Sequence, residues 1–352
     1  MKKVFIIAEA GVNHNGDLDR AKAMVDCAAQ AGADAVKFQT FKAESLVTHS
    51  SPKAAYQVKT TRSGSQLAML KALELRESDH FVLAERCREK KIEFLSTPFD
   101  LASLRFLVDN DLVQRIKIPS GELTHGPLLY EAARTGKPMI ISTGMATPEE
   151  VAVALQVVRL GFEGGVPSEF SGDHDSSMTF ADLVARVTLL HCTTAYPTPF
   201  HEANLRAMVT LRERFGVAVG YSDHTGGIAI AMAATALGAT VVEKHFTLDR
   251  NLEGPDHQAS IEPEELVALV AGIRNVEKAL GDGTKRPLGS ELENAKVARK
   301  SLMAATAIAA GTLFSADNLA IKRPGGGRSP MEYWRILGTP AMRDYLPDEP
   351  ID

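Results

Sequence analysis

Short apolar runs recur along the first 245 or so residues, and nearly every one stops at a polar residue capable of chemistry. VFIIA runs into Glu9, AVKFQ carries Lys37 and Gln39, and IEFLSTP ends in Ser96 and Thr97. QRIKIPSGE holds Lys117, Ser120 and Glu122, PMIISTG ends in Ser142 and Thr143, and VTLLHC ends in His191. VAVGYSDHT ends in Ser222, Asp223 and His224, and TVVEKHFT carries Glu243, Lys244 and His245. Between the runs the spacing turns helical. Residues 18–31 place Leu18, Ala21, Val25 and Ala28 or Ala29 on one face, with Asp17 as N-cap and Gly32 as the stop. Further helices are predicted at roughly 79–90, 100–109, 126–135, 147–160, 203–215, 226–237 and 263–280.

Alternating strands and helices predict a parallel sheet. Eight such pairs, with no G-x-G-x-x-G turn, favour a closed (β/α)₈ TIM barrel over an open doubly wound sheet. A barrel of this kind gathers its catalytic groups at the C-terminal ends of its strands, with strand-to-helix loops on the same face. Residues 40–66 follow the second run, so they are expected to form a lid or wall there, with Tyr56, Gln57, Lys59 and Arg62 in reach of a substrate. Residues 161–182 follow a helix instead. Asp173, His174 and Asp175 invite a metal reading, but that position predicts a solvated loop on the opposite face. The expected division is a barrel over 1–280, a hydrophilic linker over 281–298 and a small, mainly β domain over 299–352, closing with a short helix and a last strand.

Composition narrows the partners. Net charge is −5, from 39 Lys+Arg and 44 Asp+Glu, so no nucleic-acid footprint is present and an anionic ligand needs local basic residues. The three cysteines, Cys27, Cys87 and Cys192, lack disulfide or zinc spacing, which predicts a reducing, cytoplasmic setting. Glu9 interrupts the first apolar run too early for a signal peptide. No run approaches the ~20 residues of a membrane span.

His224 and His245 end neighbouring strands of such a barrel. Two imidazoles plus water suit Mn²⁺ or a similar divalent ion, and Glu243 could add a carboxylate or act as a base. A lone histidine more often serves the core; a pair on adjacent tips in one cleft favours the metal. Lys37, Thr97, Lys117, Ser120 and Ser142 converge on the same face, and ammonium and hydroxyl donors together suit phosphate and carboxylate. One lysine could alternatively form a Schiff base, as in lysine-dependent aldolases. Glu9 could exchange protons with a reacting hydroxyl or pair with a nearby lysine. Cys192 is expected to be an inert buried thiol, since it and His191 point to opposite faces of a strand.

Taken together, IAEAGVNHNG, VKFQTF, FLSTPFD, IKIPSGE, IISTGMAT, LLHCTTAYPTPF, GYSDHT, VVEKHFTLD and GPDHQASIEPEEL resemble the sialic acid synthase family, the phosphoenolpyruvate-dependent nonulosonic acid synthases. ARKSLMAA, AGTLFSADNLAIKRPGGG and SPMEYWRILG resemble its C-terminal antifreeze-like SAF domain, a β-clip fold. The resemblance implies condensation of phosphoenolpyruvate with the open-chain aldehyde of an N-acylated mannosamine-type hexosamine, releasing a nine-carbon keto acid and phosphate. A divalent metal, Mn²⁺ or Mg²⁺, would activate the aldehyde.

By motif position, His224 and His245 correspond to metal ligands, and Lys37, Thr97, Lys117, Ser120, Ser142 and Ser222 to phosphoenolpyruvate-binding positions. Glu9 corresponds to the acid/base near the aldehyde. Gln39, Tyr196, Glu243 and Asp256 match sugar-contacting or aldehyde-proximal positions, with Glu243 also a catalytic candidate. Arg323 resembles the residue that enters the partner's site in a domain-swapped homodimer. Thr194 stands where some members carry Asn. The lid, SPKAAYQVKTTRSGSQLAML, resembles both N-acetylneuraminate and N,N′-diacetyllegionaminate synthases. N-acetylneuraminate synthesis from N-acetylmannosamine is the leading expectation, and 2,4-diacetamido-2,4,6-trideoxymannose is the alternative substrate. A Schiff-base pyruvate aldolase, or a sugar- or ice-binding protein with an inactive barrel, is more remote.

Overall fold

A computed structural model describes residues 3–61, 64–166, 168 and 180–352. Eight strands form one parallel sheet: β1 (Phe5–Gly11), β2 (Ala35–Thr40), β3 (Glu93–Pro98), β4 (Ile116–Ile118), β5 (Met139–Ser142), β6 (Val187–His191), β7 (Ala218–Asp223) and β8 (Val241–His245). Their order is β3-β2-β1-β8-β7-β6-β5-β4, and the end strands β3 and β4 lie side by side, closing a TIM barrel.

Barrel residues alternate between two environments, as the period of two demands. Ile7, Ala35, Leu95, Ile140, Leu190 and Val241 point inward and fill the interior in an apolar layer. Outward residues of the same strands, such as Ile6, Ala8, Val36, Ile141 and Val242, pack into the larger core beneath the surrounding helices. Those helices include α1 (Leu18–Ala31), α5 (Glu77–Lys90), α6 (Leu101–Asp109), α7 (Gly126–Arg134), α8 (Pro148–Glu163), α9 (Arg206–Phe215), α10 (Ala229–Ala236) and α11 (Pro263–Leu280). Their ends follow the expected chemistry. Asp17 caps α1 by accepting from the Asp19 and Arg20 N–H groups, and Gly32 stops it at φ 81°.

The segment after β2 carries α2 (Ala43–Leu46), α3 (Ala55–Thr60) and α4 (Gln66–Leu73). Asp173, His174 and Asp175 lie outside the described residues, as do Arg62 and the side chains of Tyr56 and Lys59.

The chain divides into two compact units, residues 1–281 and 282–352. The second has its own core, which includes Leu302, Ile308, Phe314, Ile336, Tyr345 and Ile351. It contains α12 (Gly289–Ala298), an antiparallel pair of β9 (Ser301–Ala304) and β10 (Leu319–Lys322), and the short α13 (Tyr333–Ile336). Two details differ from the sequence reading. The stretch expected as a turn-rich linker is helical over α12, where the Glu291 carboxylate caps the Leu288 N–H at 3.0 Å. In place of a last strand, isolated bridges join Ile308 to Tyr345 and Met303 to Pro350.

Candidate active site

Two residues along each strand from the apolar layer, the inward row becomes polar. Glu9 follows Ile7 on β1, Lys37 follows Ala35 on β2 and Thr97 follows Leu95 on β3. Ser142 follows Ile140 on β5, and Glu243 then His245 follow Val241 on β8. Strand register sets Glu9 beside both Lys37 and His245, and Ser222 beside Glu243. The groups line a cavity of about 510 Å³.

Lys37 is the hub on one side. Its Nζ lies 2.5 Å from Glu9 Oε2 and 3.7 Å from Glu243 Oε2, and donates to Thr97 Oγ1 at 3.0 Å. Lys117 is its counterpart across the mouth. It donates to Ser142 Oγ at 2.8 Å and sits 3.7 Å from Glu243 Oε1, which also accepts from Ser222 Oγ at 2.9 Å. Oε2 of both Glu9 and Glu243 is buried with no hydrogen-bond partner beyond these ion pairs. Gln39 Nε2 reaches Glu9 Oε1 only at 3.5 Å. Gly11 ends β1 at φ 52°, and a Cβ there would meet Glu9 Oε1 at 3.2 Å, so glycine lets the chain turn directly over the carboxylate.

Burial and charge pull the two carboxylates apart. Burial pushes the Glu9 carboxyl up to about 7; the Lys37 ammonium opposes this, and the neighbouring Glu243 carboxylate adds to it. Burial acts on Glu243 in the same direction but is outweighed by Lys117, Lys37 and the Ser222 hydroxyl, which hold it down at about 2. Burial lowers Lys117. Lys37 faces the same burial, yet Glu243 and Glu9 raise it above the ordinary lysine value. Two carboxylates with separated affinities for a proton are the arrangement that divides acid/base work from electrostatic work. Asp256, in the loop after β8, faces the same cavity, and burial raises it to about 6.

The imidazoles of His224 and His245 lie with ring centroids 5.4 Å apart, and Tyr196 covers His224 at 4.3 Å. His224 Nδ1 donates to the Thr193 carbonyl at 2.6 Å, which leaves Nε2 with its lone pair. His245 Nδ1 is buried with no partner. Burial lowers the proton affinity of both rings, keeping them neutral, the form that ligates metals. Among the described residues no group of three or more His, Cys, Asp or Glu could hold an ion. Two neutral imidazoles facing one cavity, one with an unpartnered ring nitrogen, are the donors such an ion would have here, with water or substrate needed to complete its shell.

The cavity brings together thirteen of the fourteen site residues expected from sequence: Glu9, Lys37, Gln39, Thr97, Lys117, Ser120, Ser142, Tyr196, Ser222, His224, Glu243, His245 and Asp256. The remaining one, Arg323, is an exposed residue of the second unit and is not among the lining residues. From the lid, Gln57 lines the cavity. His191 points outward and bonds the Ala203 carbonyl at 2.9 Å. Cys192 points inward beside Ser120, Sγ to Oγ 3.2 Å, and burial raises its thiol, so it lines the wall as a neutral group. Thr194 and Glu122 also line the cavity, as does a set of apolar side chains that strand-end reasoning did not flag: Val12, Val47, Met69, Leu70, Leu73 and Phe99. For Met69, Leu70 and Leu73 alone, the apolar spacing of QLAMLKAL was an available signal.

A barrel with this polar mouth and a separate small unit is the arrangement on which comparison with known proteins bears. Residues 24–285 match the NeuB family and residues 299–352 match the SAF domain. The chain belongs to the NeuB family and is, at the level of that family, a nonulosonic acid synthase. It is 49% identical over 351 residues to the N,N′-diacetyllegionaminic acid synthase of Campylobacter jejuni, covering 99% of each chain. It is 46% identical to the enzyme of the same name from Legionella pneumophila, over 95% of this chain and 89% of that one. A crystal structure of N-acetylneuraminic acid (sialic acid) synthetase from Leptospira borgpetersenii, in complex with citrate, superposes with a TM-score of 0.69 at 35% identity, covering 83% of this chain and 90% of the other.

Proposed function

We propose that the cavity condenses phosphoenolpyruvate with the aldehyde of 2,4-diacetamido-2,4,6-trideoxymannose, giving N,N′-diacetyllegionaminate and phosphate. The observation that carries the reaction is the meeting of Lys37, Lys117, Glu9 and Glu243 with His224 and His245 around one enclosed mouth. The sugar rests on the 49% and 46% identity to two proteins named for that product. N-acetylmannosamine is the second reading, supported by the likeness to a sialic acid synthetase.

In this account Lys117, Ser120 and Ser142 bind the phosphate and carboxylate of phosphoenolpyruvate, with Lys37, Thr97 and Ser222 on the flanks. His224 and His245 would hold a divalent ion, Mn²⁺ or Mg²⁺, which would supply Lewis-acid polarisation of the aldehyde oxygen. Gln39, Tyr196 and Asp256 orient the sugar. C3 of phosphoenolpyruvate attacks the aldehyde carbon, forming the new C–C bond. Positive charge at C2 develops beside Glu243, whose carboxylate Lys37 and Lys117 keep ionised. Water adds at C2, and the tetrahedral centre loses phosphate by C–O cleavage. Glu9, poised near neutrality, exchanges the proton of the oxygen that was the aldehyde.

Lys37 is a poor Schiff-base former here, since two carboxylates hold it as an ammonium. The active species is proposed to be a homodimer in which the partner's copy of the Arg323 turn completes the sugar site. No helix among the described residues is long and apolar enough to cross a membrane.

The test is phosphate release. It is expected only with phosphoenolpyruvate, sugar and metal all present, and full activity after exhaustive chelation would remove the metal from the account. Borohydride with pyruvate should label no lysine; a labelled Lys117 would favour the aldolase instead. Arg323→Ala is expected to keep the fold, measured by thermal melting, while losing sugar turnover. Unchanged turnover would count against the inserted turn.

A further inference from the structure

The cavity has two unlike halves. Toward β4 and β5 its wall carries the donors Lys117, Ser120 and Ser142, together with Glu122 and Met145. On the β1–β3 side, beyond the strand-end groups Glu9, Lys37, Gln39 and Thr97, the lining side chains from the loops are mainly apolar: Val12, Val47, Met69, Leu70, Leu73 and Phe99, with Gln57 and Gln66 among them. This second wall is no extension of the barrel cores. Val12 and Leu73 are buried in an apolar cluster of their own, separate from both the interior layer and the core beneath the helices, with Met69, Leu70 and Phe99 packed against it. Three loops on the catalytic face build it, and α4 of the lid supplies three of its side chains. A sugar hydroxyl pressed against those apolar side chains would lose water partners that they cannot replace, whereas a methyl group would gain by the same burial.

We infer that this wall is the specificity-determining surface for the sugar and that it receives methyl groups: C6 of a 6-deoxy chain and the acetyl methyl on the C4 nitrogen. The inference rests on the condensation proposed above, which places the aldehyde carbon near Glu9 and the two histidines. The far end of the open chain then points away from the donor half, and the β1–β3 side is where it must go. Gln39 and Asp256, which line the same cavity, remain for the hydroxyls and amides of the middle of the chain. N-acetylmannosamine would set hydroxyls at C4 and C6 against the same side chains.

A hydrophobic pocket discriminates against one added hydroxyl by about 100-fold at most. The expected preference for the trideoxy sugar, read as kcat/KM, is therefore on the order of 10–100-fold.

The experiment is steady-state phosphate release by the full-length protein with Mn²⁺, comparing 2,4-diacetamido-2,4,6-trideoxymannose with N-acetylmannosamine. It uses the parent and three near-isosteric variants, Met69→Gln, Met69→Leu and Val47→Thr. Met69→Gln and Val47→Thr should each shrink the preference about five- to tenfold, through poorer use of the trideoxy sugar. Met69→Leu should retain it. Equal use of both sugars by the parent, or a ratio unmoved in both polar variants, would overturn the assignment of the wall while leaving the condensation standing. No phosphate from either sugar would sink the condensation itself, a result distinguishable from a misplaced wall.

Discussion

Strands β7 and β8 build two buried ion-pair systems that differ by one step along the chain. On the outer side, Lys244 Nζ lies 2.9 Å from Asp223 Oδ2 and donates to the Thr225 carbonyl at 2.5 Å. Asp223 Oδ1 in turn accepts from the Thr225 N–H and hydroxyl at 2.9 and 2.7 Å. That system is closed, and every group in it has a protein partner. On the inner side, Glu243 and Glu9 share Lys37, Lys117 pairs with Glu243, and each carboxylate keeps an oxygen without a hydrogen bond at the edge of a cavity. The same residue types thus do different work. A buried pair whose hydrogen-bonding capacity is filled holds the turn that carries His224; a pair left open holds charge for something that arrives.

Four expected outcomes would break or sharpen that contrast. The largest is on the inner side: Glu9→Gln should lower turnover by about 10²–10⁴-fold, measured as phosphate release at saturating substrates. Next is the outer side. Lys244→Met leaves Asp223 buried without its cation and should destabilise the protein by about 3–5 kcal/mol, read from urea unfolding at neutral pH. A Lys244→Met protein as stable as the parent would erase the distinction between the two systems.

The third outcome concerns pH. Burial raises the Glu9 carboxyl from 4.5 to about 7, so the folded protein keeps a proton that the unfolded chain releases. Stability contributed by that proton is fully present below about 4.5 and is lost as pH rises through 7, by about 3–4 kcal/mol in all. Glu9→Gln should therefore be more stable than the parent at pH 8 and equal to it near pH 4. Denaturant midpoints at the two pH values check this, and a variant less stable at pH 8 would contradict it. The smallest effect belongs to Ser142→Ala, which removes one donor from the anion side. It should raise the KM for phosphoenolpyruvate by about three- to tenfold, with the fold intact.

The barrel was legible in the sequence because eight apolar runs and the helices between them repeat in a fixed order, and the closed ring follows from that repetition. Most of the site was legible for a related reason. A residue two positions past an inward apolar residue also points inward, so Glu9, Lys37, Thr97, Ser142 and Glu243 announce themselves at the strand ends. The same rule separates Lys244 from its neighbours Glu243 and His245, but only once the inward frame of β8 is known. A strand buried on both faces gives no polar alternation from which to read that frame. The apolar wall was not legible, because its members come from three loops whose mutual placement depends on tertiary packing. The helix over 289–298 was hidden by an N-terminal cap built on Leu288 and Glu291, a pairing that polar composition alone reads as a linker.

The central claim is that the open inner pair, the two lysines and the two histidines together run one condensation. Mass analysis of the product formed from phosphoenolpyruvate, 2,4-diacetamido-2,4,6-trideoxymannose and Mn²⁺, with phosphate measured in the same reaction, tests it most directly. The account predicts a single nine-carbon keto acid whose mass equals the two substrates plus water less phosphate, formed mole for mole with the phosphate released. Phosphate released without the sugar, or pyruvate appearing in place of the nine-carbon acid, would contradict it.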